Sequence, residues 1–211
     1  CKFTVHGKSV HPGDAKDKMI NAALIASEIV SKFPKDETPE NTSGYEGFYH
    51  LFNIQGTEEK AYIDYIIRDF DKEKFAYKKR FAENIANEIN KRFSKPIVEV
   101  TIKDQYYNMK EKFVDSMYVI DLVKNAMSEL NIEPIIRPIR GGTDGANLSF
   151  KGLLTPNIFA GGHNFHGKYE YIPIESMEKA TLLIIKIIEI LSKMKGWDDV
   201  RNQKPNKKIW E

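Results

Sequence analysis

Apolar positions change their spacing several times within the first hundred residues, and each change predicts an element. Phe3 and Val5 alternate with Thr4 and His6, the period-two pattern of a strand buried on one face. Over residues 17–33, Met19, Ala22, Ala23, Ala26, Val30 and Phe33 recur at helical spacing, and Pro34 ends the pattern. "FYHLFNIQG" and "AYIDYIIRDF" then read as two strands joined by a short turn containing glycine. In the second strand Ala61, Ile63, Tyr65 and Ile67 line one face, with Asp64 and Arg68 on the other. A second helix over 71–93 places Phe75, Ala82, Ile85, Ala86, Ile89 and Phe93 on one stripe, and "IVEVTIKD" alternates again. The order βαββαβ predicts the split-βαβ, ferredoxin-like arrangement: an antiparallel four-stranded sheet with two helices on one face.

Beyond residue 105 the pattern changes. Val119, Leu122, Val123, Ala126 and Leu130 mark a helix, while "IIRPI" and "TPNIFAG" predict short strands apolar on both sides. A long helix over 176–194 is expected to turn Ala180, Ile184, Ile187, Ile188 and Leu191 inward. Helices alternating with brief apolar strands predict a layered α/β segment, incomplete with so few strands. The chain is therefore α/β in class, with an α+β first domain over 1–105, an α/β segment over 106–195 and an aperiodic tail over 196–211.

Composition narrows the partners. The 211 residues suit one large domain or two smaller ones, and 41% hydrophobic residues can build real cores. Thirty-two basic against thirty acidic residues leave a net charge of +2, which gives no electrostatic case for nucleic acid or for an acidic membrane surface. The longest apolar run is interrupted by Lys186 and Glu189 and falls short of a membrane span. A lone cysteine, Cys1, makes no internal disulfide, which fits a reducing cytoplasm. The start "CKFTVHGK", without methionine and already alternating, suggests a segment of a longer protein.

Three places carry candidate chemistry. The loop "RGGTDG" follows an expected strand end, where open α/β sheets bind ligands, and its glycines allow close backbone approach. Arg140 at its entrance can hold a carboxylate through parallel hydrogen bonds, or it can pair with Asp144 in a plain turn. His166, with Glu170 after it, lies just beyond "NIFAGG"; His163 and His166 do not by themselves make a zinc site, which needs further ligands. His11, fixed on a turn by Pro12 and Gly13, can donate to a developing oxyanion or be an exposed turn histidine.

Taken together, "VHPGDAKDKMINA", "GYEGFYHL", "YIIRDFD", "YYNMKE", "PIRGGTDGANLSFKGLLTPNIFAGG" and "NFHGKYEY" resemble, in order and spacing, the peptidase T family. These are tripeptide aminopeptidases of the co-catalytic zinc aminoacylase and carboxypeptidase group, and the resemblance covers roughly residues 2–192. It implies a lid at residues 1–105, commonly used for dimerisation, followed by the returning C-terminal part of a zinc-peptidase catalytic domain. It further implies that His166 is one zinc ligand. The other ligands of the two zinc ions, and the glutamate general base, would lie in an N-terminal portion that this sequence does not contain.

By the same resemblance His11 matches a lid histidine that reaches the scissile carbonyl oxygen, and Arg140 an arginine of the substrate-carboxylate pocket. Arg68 and Asn108 match lid or hinge positions suspected of touching substrate, with Gly142 and Thr143 in the adjoining loop; Thr143 and Asp144 support that loop. Position 163 is a histidine where a relative has tyrosine. The expected function is removal of the N-terminal residue of tripeptides, with this segment inactive on its own and a homodimer formed through the lid. Other readings are a dipeptidase, a carboxypeptidase or an N-acyl amino-acid deacylase of the same group, or a non-enzymatic dimerisation or binding module.

Overall fold

The computed structural model describes residues 1–196; the tail expected at 196–211 lies outside them apart from its first residue. The chain divides into two compact units, one of Cys1–Gln105 with Pro138–Gly141, the other of Tyr106–Arg137 with the chain from Gly142 onward.

In the first unit β1 (Lys2–His6), α1 (Ala22–Ser31), β2 (Phe48–Gly56), β3 (Lys60–Arg68), α2 (Lys72–Asn90) and β4 (Val98–Thr101) follow one another in the expected order. The strands form one sheet in the order β2-β3-β1-β4, with every neighbouring pair antiparallel. Alternation decides which face is covered: Phe3, Val5, Ala61, Ile63, Tyr65 and Ile67 are buried in one core with Ala26 and Ile29 of α1 and Ala82, Ile85 and Ile89 of α2. Phe33 sits at the middle, its ring centroid 4.1 Å from that of Tyr65 and 5.1 Å from that of Tyr49. In β2 the register slips between Leu51 and Asn53, a bulge that leaves Phe52 exposed on the edge strand.

The first helix starts later than its spacing predicts. Asn21 caps it, its side chain accepting the Leu24 N–H at 3.1 Å. Ile20 instead makes a bridge with Lys8, and Asp17 takes a positive φ of 60°. A cap and a local bridge thus override a periodicity that runs on through Met19.

The second unit contains α3 (Tyr118–Glu129), α4 (Asp144–Phe150) and α5 (Ile174–Ser192). The strands expected at "IIRPI" and "TPNIFAG" do not form: neither segment pairs into a sheet among the described residues. A strand needs a partner for its N–H and C=O groups, and Ile135 and Ile136 stand 70% and 55% exposed with none beside them. The inward stripe of α5 also differs from expectation. Leu183, Ile187 and Ile190 pack with Ala126 and Met127 of α3, while Ile184 and Ile188 are 49% and 60% exposed. Glu175, Glu178, Lys179, Lys186 and Glu189 mark a polar side of α5, but the apolar arc opposite is wide and α3 covers only part of it.

Candidate active site

His11 precedes a single 3-10 turn, Pro12–Asp14, and accepts the Gly13 N–H on Nδ1 at 3.1 Å. Proline at the first position of that turn fixes φ, which holds the imidazole against its own backbone. An Nδ1 that accepts carries no proton, so in the neutral ring the proton is on Nε2. The exposed side chain therefore presents one N–H donor outward.

Arg140 belongs to the first unit, with Pro138–Gly141. Its Nη1 donates to Thr42 O at 2.6 Å, and its Nη2 donates to Thr42 Oγ1 at 2.6 Å and to Glu46 O at 3.1 Å. The guanidinium lies 4.9 Å from the ring centroid of Phe48, a favourable stack for a planar cation. It is the 42–46 loop, not Asp144, that engages this arginine. Nε is shielded from solvent and has no acceptor.

Arg68 stands opposite Phe48 in the β2–β3 register, so the same aromatic residue neighbours both arginines. Its Nη1 donates to Ile67 O and its Nη2 to Gln105 Oε1, at 3.1 and 3.2 Å. At the foot of this region burial pushes the Asp69 carboxyl up, opposed by the backbone N–H of Asp71. Gly47 lies so close that an added Cβ would meet Asp69 Oδ2 at 2.1 Å.

The remaining sequence-predicted residues lie in the second unit. Asn108 caps a 3-10 turn at Met109–Lys112, accepting the Lys110 N–H at 3.0 Å. Thr143 caps α4, accepting from Ala146 N at 3.2 Å and from Asn157 Nδ2 at 3.3 Å. Gly142 lies flat against Tyr106, whose ring a Cβ at 142 would meet at 2.1 Å, so the glycine is required for that approach.

His166 is held at the tip of a closed turn. His163 and Tyr171 exchange backbone hydrogen bonds of 2.8 and 3.2 Å and stack their rings at 5.0 Å. Within that clasp Asn164 and His166 both take positive φ, 55° and 64°. The His166 N–H donates to Glu170 Oε2 at 3.1 Å, which holds an unfavourable backbone conformation in place. The imidazole itself is exposed. Among the described residues no group of three or more His, Cys, Asp or Glu side chains could hold a metal ion. These residues alone therefore do not fit a zinc centre.

Sequence reasoning missed Lys78, Glu37 and the 42–46 loop. A signal for Lys78 existed: it falls three residues after Phe75 and four before Ala82, on the apolar stripe of α2. No spacing rule pointed to Thr42 and Glu46, which meet Arg140 from 98 and 94 residues away in sequence.

Residues 1–95 match the family model described as peptidase dimerisation domain. Over 190 residues the chain is 55% identical to a peptidase T of Clostridium acetobutylicum, covering 90% of this chain and 47% of that protein. The fold is similar to that of aminopeptidase PepT from Bacillus cereus, with a TM-score of 0.71 at 22% identity over 91% of this chain and 51% of the other. It is likewise similar to a tripeptidase of Staphylococcus aureus, with a TM-score of 0.72 at 18% identity over 92% and 51%. The chain spans about half the length of the proteins it matches. Among the described residues no helix is long and apolar enough to cross a membrane.

Proposed function

Because this chain belongs to the peptidase T family, we propose that it forms the substrate-gripping half of a metal-dependent tripeptide aminopeptidase. Residues 1–105 act as the lid and 106–195 as the returning part of the catalytic domain. The observation that carries the reading is the His11 turn: Gly13 N–H occupies Nδ1, so the exposed Nε2–H is available as a donor. Aimed at a peptide carbonyl, such a donor stabilises the charge that develops on oxygen during attack. Carried on a lid, it reaches the carbonyl only when the lid closes, which also excludes water.

Arg140 takes the far end of the substrate. Three of its five N–H donors are committed to Thr42 and Glu46, which fixes the guanidinium; of the other two, Nε–H is shielded and one Nη1–H is left for a ligand. A donor on a fixed cation suits the terminal carboxylate of a short peptide. Held at one end by Arg140 and at the scissile carbonyl by His11, a substrate is measured by length. By the family resemblance Arg68 of the first unit is a further substrate contact, and so, separately, are Asn108, Gly142 and Thr143 of the second.

Zinc is the expected metal, with His166 as one ligand. The described residues do not complete such a centre. The general base, like the other ligands, comes from the part of the enzyme outside these residues. The exposed Phe52 and Ile54 on the edge strand β2 suit pairing of two copies through the lid. A lone cysteine fits work in a reducing cytoplasm.

The test uses this segment fused behind the N-terminal half of its Clostridium acetobutylicum relative. His11→Ala should lower kcat on a tripeptide by about 100-fold or more, the loss typical of one oxyanion donor, with dipeptides and N-acyl amino acids remaining poor substrates. An unchanged kcat removes His11 from the chemistry. Preference for a dipeptide or an acyl amino acid replaces the substrate class.

A further inference from the structure

Lys78 is a buried cation that the proposed chemistry leaves unused. It is 7% exposed, on the face of α2 that packs into the first unit's core. Its ammonium group meets the Glu37 carboxylate and lies 4.6 Å from the centroid of the Tyr49 ring. Burial lowers its pKa, with the Asp36 carboxylate acting the other way. Filling this position for packing alone asks only for an apolar side chain of the same length, so the charge calls for another reason.

The partner supplies it. Glu37 lies in a segment without helix or strand between Pro34 and Gly47, and its backbone carbonyl accepts the Tyr49 N–H at 2.8 Å. Glu37 is thereby tied to β2 through its backbone and to α2 through its side chain. From there a run of short hydrogen bonds crosses the loop. Asn41 N donates to Thr38 O at 3.1 Å, and Asn41 Nδ2 donates to Lys35 O at 2.7 Å. Thr42 Oγ1 donates to Thr38 O at 2.6 Å, and the Ser43 N–H is taken by Glu46 Oε2 at 2.7 Å. The run ends on Arg140. Having given its proton to Thr38 O, the Thr42 hydroxyl has only lone pairs left to face the guanidinium, which is the orientation that Arg140 Nη2 requires.

We propose that Lys78 is a positioning residue: from inside the core it pins Glu37 and so fixes the loop over 35–46 in the shape that cradles Arg140. The consequence for substrate rests on the reading of Arg140 as the carboxylate contact; the consequence for the loop does not.

The first arm is measured on this chain by amide hydrogen exchange. Lys78→Met keeps the length and the packing, so the melting temperature should stay within a few degrees of the parent. Exchange at Asn41, Ser43, Glu46 and Tyr49 should accelerate about tenfold or more while β1 and β3 stay protected, and Lys78→Arg should restore slow exchange. Should Lys78→Met fail to fold, Glu37→Gln, which alters only the more exposed partner of the pair, must give the same acceleration. Unchanged loop exchange in the folded variant overturns the proposal. The second arm is kinetic, in the fused enzyme: KM for a tripeptide rises about tenfold with kcat held, and KM for the same tripeptide with an amidated C-terminus does not move. A loosened loop with both KM values unmoved upholds the role of Lys78 and removes Arg140 from the carboxylate.

Discussion

Arg140 is bound by three oxygens that all belong to one loop, and that arrangement sets its dual behaviour under substitution. A hydrogen bond to a charged group is worth about 1.5–3 kcal/mol, so Arg140→Ala in the fused enzyme should weaken kcat/KM for tripeptides by a factor of about ten to a hundred or more. Arg140→Lys should recover little, because a point charge does not reproduce three planar donor contacts. A tripeptide profile that neither substitution changes contradicts the carboxylate assignment. Two buried phenols make a second residue-scale prediction. Burial pushes Tyr65 up to about 12 and Tyr49 higher still, Tyr49 with further help from Tyr77 and Asp69. In the unfolded chain both ionise near 10, so above that pH the unfolded state releases protons that the folded state keeps. The stabilisation is complete below about pH 10 and is lost as pH rises toward 12. Melting temperatures taken from pH 8 to 11.5 should fall steeply above 10, and Tyr65→Phe should soften that fall. Parallel curves for the two proteins contradict the assignment.

At the scale of elements, caps and cores explain both what the sequence reveals and what it hides. Alternation placed β1 and β3 correctly because one face of each is fully buried: Phe3, Val5, Ala61 and Ile63 all have no exposure. It overextended α1 because Met19 keeps the helical spacing while the helix starts only at its N-cap, Asn21. Asn21→Ala should therefore cost about 1 kcal/mol of stability, read as a lowered denaturation midpoint, whereas no loss would place the helix start elsewhere. Phe33, stacked on Tyr65 at the meeting of α1 with the sheet, should cost about 3–5 kcal/mol as Phe33→Ala. The site was only half legible. His11 and Arg140 stood beside Pro and Gly signals that drew attention to them, and His166 stood in a dense aromatic turn. Lys78 carried a signal in its place on the apolar stripe of α2, but Glu37 and Thr42 looked like ordinary polar residues, because what makes them matter is a set of contacts spanning 41 to 98 residues of sequence.

For the molecule as a whole, the two units differ in how well their apolar surface is covered. The first closes a complete sheet-and-helix core. In the second, α5 buries Leu183 but leaves Ile184, Ile185 and Ile188 about half exposed or more, and Ile135 and Ile136 face solvent. Exposed apolar surface of that kind suits an interaction face, which the proposed function assigns to the rest of the enzyme. The strands expected at "IIRPI" and "TPNIFAG" belong to the same account, since an extended apolar segment becomes a strand only beside a partner. Under the proposed function this chain grips and measures a peptide whose cleavage needs the rest of the enzyme. That reading is tested most directly by hydrolysis of Ala-Ala-Ala, measured with zinc on the 211-residue chain and on its fusion to the N-terminal half of the Clostridium acetobutylicum relative. The expected result is no turnover by the chain alone and release of the N-terminal alanine by the fusion. Turnover by the chain alone, or a folded, metal-loaded fusion that leaves the tripeptide intact, would contradict it.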